Sequence, residues 1–175
     1  MGVIKARLNE LEATIGSILD KIVGGCMALA AVLLVPWVFV FTGTIAGRAF
    51  FHMTPRYLEE YTGYWTLIIT CLALAYTLRK GGHIRVNVVV ERLPPRVRDI
   101  MEIFVAVIAL ATSCIFTVES TKLLLFAITE NIHGLLGTEA LLWPTYLWIP
   151  IGYGLLSLAL FLYFCHAILV VVGRD

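Results

Sequence analysis

The side chains that could carry chemistry in this chain are few and scattered. The four histidines and four cysteines include no pair with the spacing of metal ligands. Each cysteine falls in a different apolar stretch, where a thiol behaves as a small buried hydrophobe, so no disulfide is expected. The cysteines are Cys26, Cys71, Cys114 and Cys165. The sequence therefore predicts no catalytic, cofactor or metal site.

The positions of the histidines argue against heme. A membrane cytochrome with two hemes needs axial histidines that face one another inside the bundle. His52, His83 and His133 lie in predicted loops, and only His166 lies within an apolar stretch, near its end. We interpret His166 as a packing or snorkelling residue.

Ionisable residues inside a membrane span mark substrate or ion paths, because a charge in lipid is costly. The first two apolar stretches have none in their interiors. In the third stretch Glu102 lies near one end, and Glu119 and Lys122 lie near the other with the i,i+3 spacing of a helical ion pair. We predict a structural pair rather than an ion site. Gly43 and Gly47 match a GxxxG pattern, which indicates close helix packing at most.

Composition places the chain in a membrane. Its 175 residues are 60% hydrophobic and only 14% charged, with a mean hydropathy of +0.91, well outside the range of soluble domains. Four long uncharged stretches predict an all-α membrane protein, because an isolated strand in lipid leaves its backbone polar groups unsatisfied. Residues 1–175 form a single domain with spans at approximately 22–47, 58–78, 99–122 and 147–172.

The residues before the first span predict an amphipathic helix that lies at the membrane surface before turning inward. Apolar residues recur there at spacings of four and three, with Lys5, Glu12 and Asp20 among them, as is typical of an interfacial helix. A coiled-coil seam with a partner is the alternative.

Basic residues concentrate between the second and third spans. The loop at 79–98 holds six of the 13 Lys and Arg residues. With four spans, this loop and both termini share one side, which carries ten basic residues against three on the other. Cytoplasmic loops carry the excess of positive charge, so we predict that both termini and the loop are cytoplasmic. Nucleic acid is not expected as a partner, because the basic segment is short and has no interleaved aromatic residue.

The second span and the loop after it resemble the small membrane subunit (DctQ-like) of tripartite ATP-independent periplasmic, or TRAP, transporters. That family has paired Glu residues at the start of its second helix, then a Gly-His-Ile-x-Val-Asp segment and a Leu-Pro before its third helix. The matching residues here are Glu59, Glu60, Gly82, His83, Ile84, Arg85, Val86, Asn87, Leu93 and Pro94. Asn87 stands where the family usually has Asp, which weakens any role that needs a carboxylate at this position.

The resemblance implies a division of labour. In such transporters a periplasmic substrate-binding protein captures an organic acid and delivers it to a large multi-span membrane subunit, which moves it together with sodium. The small subunit is implied to be non-catalytic and free of cofactors, to lie in the bacterial inner membrane, and to act as a scaffold that helps dock the binding protein. Two alternatives stay open: an independent small four-helix carrier, and a membrane-anchor subunit of a redox complex.

The paired carboxylates have two interpretations. Thr54 and Pro55 predict the start of the second helix, so Glu59 and Glu60 fall within its first two turns, where a helix favours negative charge. The alternative is a contact with a partner subunit.

The sequence also predicts the secondary structure of the loop at 79–98. Gly82 and the glycine before it are expected to end the second helix, and a short interfacial helix follows and stops at Pro94. Arg85 and Arg92 are seven residues apart, so they share a face of this helix that can bind lipid phosphate. We interpret His83 as a capping or packing residue.

The charge asymmetry predicts the accessibility of position 89. In a variant that lacks the native cysteines, Val89→Cys should react with a membrane-impermeant maleimide only after the cytoplasmic side is opened. Labelling from outside intact cells would overturn the predicted orientation.

Overall fold

The described part of the chain consists almost entirely of α-helices. The computed structural model describes residues 2–51, 56–80, 95–134 and 141–172. Its helices are α1 (Gly2–Phe51), α2 (Arg56–Arg79), α3 (Pro95–Thr129), α4 (Trp143–Tyr146) and α5 (Trp148–Val172). Four segments are long and apolar enough to cross a membrane: Thr14–Phe50, Glu60–Arg79, Ile100–Thr129 and Trp143–Cys165. The prediction of an all-helical protein with four spanning helices is confirmed, and the described residues contain no strand beyond one isolated bridge between His133 and Leu141.

Helix α1 is continuous where the sequence predicted a surface helix followed by a turn. It runs for 50 residues from Gly2 to Phe51 and passes through Pro36, which gives a length of about 75 Å. The segment that the sequence predicts to be amphipathic is therefore the first part of the same helix that contains the first candidate span. Its position at a membrane surface stays a prediction.

The long helices form a row in the order α1, α2, α5, α3. Helix α2 packs against α1 on one side and α5 on the other, while α5 packs against α2 and α3. Helix α1 meets α5 only briefly, and no extended contact joins α1 to α3 over the described residues. Among the long helices described, α1 packs extensively only against α2, and α3 packs extensively only against α5. Helices α1 and α3 are therefore the two flanks of the row.

Two polar contacts set the antiparallel register of α1 and α2. The indole N–H of Trp37 donates to the carbonyl oxygen of Thr62 over 3.1 Å. The guanidinium of Arg79 donates to the Asp20 carboxylate over 2.7 Å and to the Gly16 carbonyl oxygen over 3.1 Å. Both helices advance 17 residues between the Trp37 and Asp20 contacts, about 25 Å along each axis. The two contacts therefore clamp nearly the whole length of α2.

We name the two ends of the row by α2: its upper end is where α2 begins, near Glu60, and its lower end is where α2 finishes, at Arg79. The apolar core lies toward the lower end, where α1, α2 and α5 meet. Its buried members are Leu19, Val23, Ala75, Ala159 and Leu162. Alanines from α2 and α5 bring the two backbones close, which is how helices without a water-driven hydrophobic force associate in lipid.

Helices α5 and α2 approach each other closely at Gly152. A Cβ placed on Gly152 would lie 2.6 Å from the carbonyl oxygen of Cys71 and 2.8 Å from its Cβ. The glycines of the GxxxG pattern behave differently, because a Cβ on Gly43 or Gly47 would meet nothing within 4 Å. The pattern therefore marks no close packing among the described residues, and the close crossing uses a glycine that no sequence pattern singled out.

Hydroxyl groups join α3 to α5. The Ser113 hydroxyl lies 2.8 Å from the Ser157 hydroxyl and donates to the Tyr153 carbonyl oxygen over 3.2 Å. The Thr117 hydroxyl adds a 3.3 Å contact with Ser157, and the rings of Phe116 and Tyr153 stack at 5.1 Å. These bonds satisfy polar groups inside the interface, so they hold the two helices without leaving an orphaned donor.

Helix α3 ends through a left-handed residue. The helix continues to Thr129, beyond the span predicted at 99–122. Asn131 then adopts φ 46°, and the Ile132 amide donates back to the Ala127 carbonyl oxygen over 3.2 Å, as in a Schellman cap. The Leu142 amide donates to the Ile132 carbonyl oxygen, which brings α4 back against the top of α3.

The α2–α5 crossing predicts unequal costs for two similar substitutions. Gly152→Ala forces a methyl group into the Cys71 backbone, so the free energy of unfolding in detergent should fall by about 1–3 kcal/mol. Gly154→Ala is the matched control, because a Cβ there meets nothing within 4 Å. Denaturant titration followed by circular dichroism measures both, and equal stability of the two variants would contradict the crossing.

Candidate interaction site

Most of the residues that the sequence singled out lie outside the described residues. These are Gly82, His83, Arg85, Asn87, Arg92 and Pro94, together with the predicted helix start at Thr54 and Pro55. The side chains of Glu59 and His166 also lie outside the description, although both residues belong to helices. Glu60 is the member of the predicted site whose surroundings are described.

Glu60 lies in the second turn of α2 beside a group of aromatic rings. Its carboxylate accepts a hydrogen bond from the Tyr64 hydroxyl, one turn further along the helix. The Tyr64 ring packs edge-on against Tyr61 at 6.1 Å, and the Trp37 indole binds the backbone of the same turn at Thr62. We call Trp37, Glu60, Tyr61 and Tyr64 the Glu60 cluster. Aromatic residues with polar tips favour the membrane–water interface, which is consistent with a boundary at this level.

A second polar contact lies at the lower end, between Asp20 and Arg79. The Asp20 side chain is 57% exposed and that of Arg79 is 25% exposed, so solvent or lipid headgroups screen the pair and its free energy is small. Its structural effect is to fix the α1–α2 register. The sequence does not predict this contact, because Asp20 belongs to a predicted polar helix face, Arg79 belongs to the basic loop, and no sequence signal joins residues 59 apart.

The third polar contact is the predicted pair on α3. Lys122 donates to Glu119 over 2.7 Å, so the structural pair is confirmed. Both side chains are largely uncovered by the rest of the chain. The pair therefore belongs to the surface of the row and not to its interior.

The interior of the row contains no charged centre in the parts of the chain that are described. No group of three or more His, Cys, Asp and Glu residues that could hold a metal ion occurs there. The buried polar side chains are Ser113, Ser120 and Thr145, and no buried side-chain nitrogen or oxygen lacks a hydrogen-bond partner. Such an arrangement can hold helices together, but it offers no charged group to an ion or an organic acid passing between them.

The flanks of the row present apolar surface instead. On α1, Phe39 and Phe50 are 74% and 79% exposed, and on α3 Phe104 and Ile115 are similarly uncovered. Patches this large on a single chain indicate contact with lipid or with other membrane helices. Both flanks of the row, α1 and α3, therefore present surface that lipid or other membrane helices can cover.

Comparison with known proteins decides the family. The family described as "Tripartite ATP-independent periplasmic transporters, DctQ component" matches residues 37–169. The chain belongs to the DctQ family. The resemblance drawn from the motif at Glu59–Pro94 is therefore confirmed, and the protein is a small membrane component of a TRAP transporter. No curated protein matches the sequence.

The family match covers the upper part of α1 and nearly all of the chain after it. It begins at Trp37, which binds the α2 backbone near its upper end, and it reaches into the last turn of α5. The lower part of α1, including Asp20, precedes the match. DctQ is a transporter component and not a known enzyme family, and its four apolar helices make the protein multi-pass in the membrane.

The Glu60 cluster predicts that one of two neighbouring tyrosine hydroxyls matters for stability. Tyr64→Phe removes the donor to Glu60 and should lower the free energy of unfolding by roughly 1 kcal/mol. Tyr61→Phe keeps the ring contact and removes a hydroxyl for which the described residues provide no hydrogen bond, so it should be nearly neutral. Denaturation of both variants in the same detergent is the measurement, and a Tyr61→Phe cost that equals that of Tyr64→Phe would refute the assignment.

Proposed function

We propose that this DctQ protein is a non-catalytic scaffold for the large membrane subunit of its transporter during sodium-coupled uptake of an organic acid. The observation that carries the proposal is the interior of the row, where the buried polar side chains among the described residues are the hydroxyls of Ser113, Ser120 and Thr145 and none is charged. Ser113 bonds across to α5, and Ser120 bonds to the backbone of its own helix. A row without a charged centre is suited to be a wall beside a transport path and not the path itself. The apolar flanks on α1 and α3 then have natural neighbours in lipid and in the large subunit.

The proposed orientation has both termini and the loop at 79–98 in the cytoplasm of a bacterial cell, with the protein in the inner membrane. Ten basic residues against three support this orientation. The upper end of the row, with the Glu60 cluster, then faces the periplasm. The basic loop lies on the cytoplasmic side, where Arg85 and Arg92 are available to lipid phosphate.

The proposed role in docking concerns the periplasmic substrate-binding protein. With the upper end in the periplasm, the start of α2 is on the side from which the binding protein approaches. Glu60 already accepts a hydrogen bond from Tyr64, which orients its carboxylate along the helix and favours the local role for this residue. Docking through Glu59 and Glu60 therefore remains a proposal that rests on the family pattern of paired carboxylates.

The two alternative functions have less support. An independent carrier needs an ionisable group that faces a path within its own bundle, whereas the Glu119–Lys122 pair lies on the outer surface of the row. A redox anchor needs ligands for heme or a quinone pocket, and the DctQ family is a transport family. A visible absorption spectrum of the purified protein would separate the redox alternative directly.

The scaffold function predicts that the protein has no transport activity of its own. Reconstituted alone in liposomes under a sodium gradient, it should move no organic acid, whereas liposomes that also contain the large subunit and the binding protein should. From native membranes it should co-purify with a larger membrane subunit. Sodium-driven uptake by this chain alone would end the scaffold proposal.

A further inference from the structure

The Glu119–Lys122 pair lies on a face of α3 that the described chain leaves uncovered. Its side chains are 59% and 65% exposed, respectively. The buried residues of α3 recur at spacings of seven, four and three: Ala106, Ser113, Ser120, Leu124 and Ala127. At about 100° per residue, the pair lies on the opposite side of the helix from these residues. Because α3 is a flank of the row, this face points away from the bundle.

The depth of the pair follows from the contacts that link α2, α5 and α3. Cys71 of α2 meets Gly152 of α5, and these two helices run in the same direction. The Ser113 hydroxyl of α3 binds at Tyr153 and Ser157, which are one to five residues further toward the lower end. Counted at about 1.5 Å per residue along α5, Ser113 therefore lies about 4 Å below the level of Cys71.

Counting from these levels places the pair well inside the span. Glu119 is six residues above Ser113, whereas Glu60 is eleven residues above Cys71. Glu119 therefore lies about 12 Å below Glu60 and about 16 Å above Arg79, and Lys122, three residues nearer the upper end, lies about 7–8 Å below Glu60. Glu60 and Arg79 bound the apolar span of α2, so Glu119 lies near the middle of that span and Lys122 lies inside its upper half.

Lipid is an unfavourable neighbour for a charged pair at this depth. Charged side chains within membrane spans almost always face protein or a water-filled cavity, because hydrocarbon solvates them poorly. Lys122 would have to leave Glu119 to reach the headgroups, although the two are held at 2.7 Å. Ile115 and Phe126 flank the pair on the same face and are themselves largely exposed. We call these four residues the α3 outer face.

We propose that the α3 outer face packs against a transmembrane helix of the large membrane subunit, which presents polar or charged side chains to Glu119 and Lys122. The proposal rests on the scaffold function above and names the surface through which it operates. A partner helix with complementary polar groups can bond to the pair and also cover Ile115 and Phe126. A lipid chain or a purely apolar helix can cover the two apolar residues but cannot bond to the charges. Flank α3 is thereby the side of the row that meets the partner.

The test measures how substitutions on the α3 outer face change association with the large subunit, because lipid and a polar partner helix predict different results. The double variant Glu119→Leu with Lys122→Leu suits a lipid-facing surface, so if lipid covers this face the variant should assemble as well as the native chain. If a polar partner helix covers it, the variant leaves the partner's groups unpaired, and association with the large subunit should weaken by about fivefold or more. Association is measured by titrating the tagged small subunit against the large subunit in one detergent.

Two further variants control for insertion and polarity. Thr121→Leu changes an exposed polar residue on the other side of α3, where its hydroxyl bonds only to Thr117 of its own helix, and it should leave association unchanged. Glu119→Gln with Lys122→Gln keeps hydrogen-bonding groups, so it should associate more tightly than the double leucine variant. A photo-reactive benzoylphenylalanine at position 115 should cross-link to the large subunit.

The outcomes separate this proposal from the function on which it rests. If the native chain and the double leucine variant associate equally well, the α3 outer face is not the interface, and the scaffold function stands. A cross-link from position 115 to a second copy of this chain, with none to the large subunit, also overturns the proposal. If the native chain itself fails to associate with a large subunit, the scaffold function and this proposal fall together.

Discussion

The close crossing of α2 and α5 at Gly152 is the contact on which the row depends. In lipid, apolar side chains gain little by meeting one another, so helices associate where their backbones approach closely or where polar groups bond between them. Gly152 provides the first kind of contact against Cys71, and the hydroxyls of Ser113 and Ser157 provide the second between α3 and α5. Because α5 uses different sides for its two neighbours, α1 and α3 are left as the flanks of the row.

The row explains why this small protein has so much uncovered apolar surface. A square bundle of four helices gives each helix two neighbours, whereas a row gives its flanks only one. Helix α1 is clamped to α2 through Trp37 and the Asp20–Arg79 pair, and its remaining surface faces outward. This geometry suits a protein that extends a larger membrane assembly, since each flank is a long surface that lipid or another helix can cover.

The polar groups of the chain are divided between two tasks. Hydroxyls and the Trp37 indole satisfy one another or the backbone between helices, and they stabilise the row at little cost. Among the described residues, the Asp20–Arg79 pair lies at the lower end of the row, and the Glu119–Lys122 pair lies on its outer surface. A transport path needs charged groups that face the interior, and none of the buried residues in the described helices is charged. This architecture therefore suits a supporting role beside the transport subunit.

The sequence by itself determined the helical membrane class, the four spans, the Glu119–Lys122 pair and the family. Each of these depends on local composition, on spacing within one helix or on a short motif, and such information is written along the chain. Sequence could not give the order of the helices in the row, the tight crossing at Gly152 or the Asp20–Arg79 contact, because each joins residues far apart along the chain. It also marked Gly43 and Gly47 as a packing motif, although a Cβ on either would meet nothing within 4 Å, whereas Gly152 lies against the Cys71 backbone. A glycine allows a close helix crossing only where a second helix packs against it at the same level. The tertiary structure alone determines which glycine has such a neighbour.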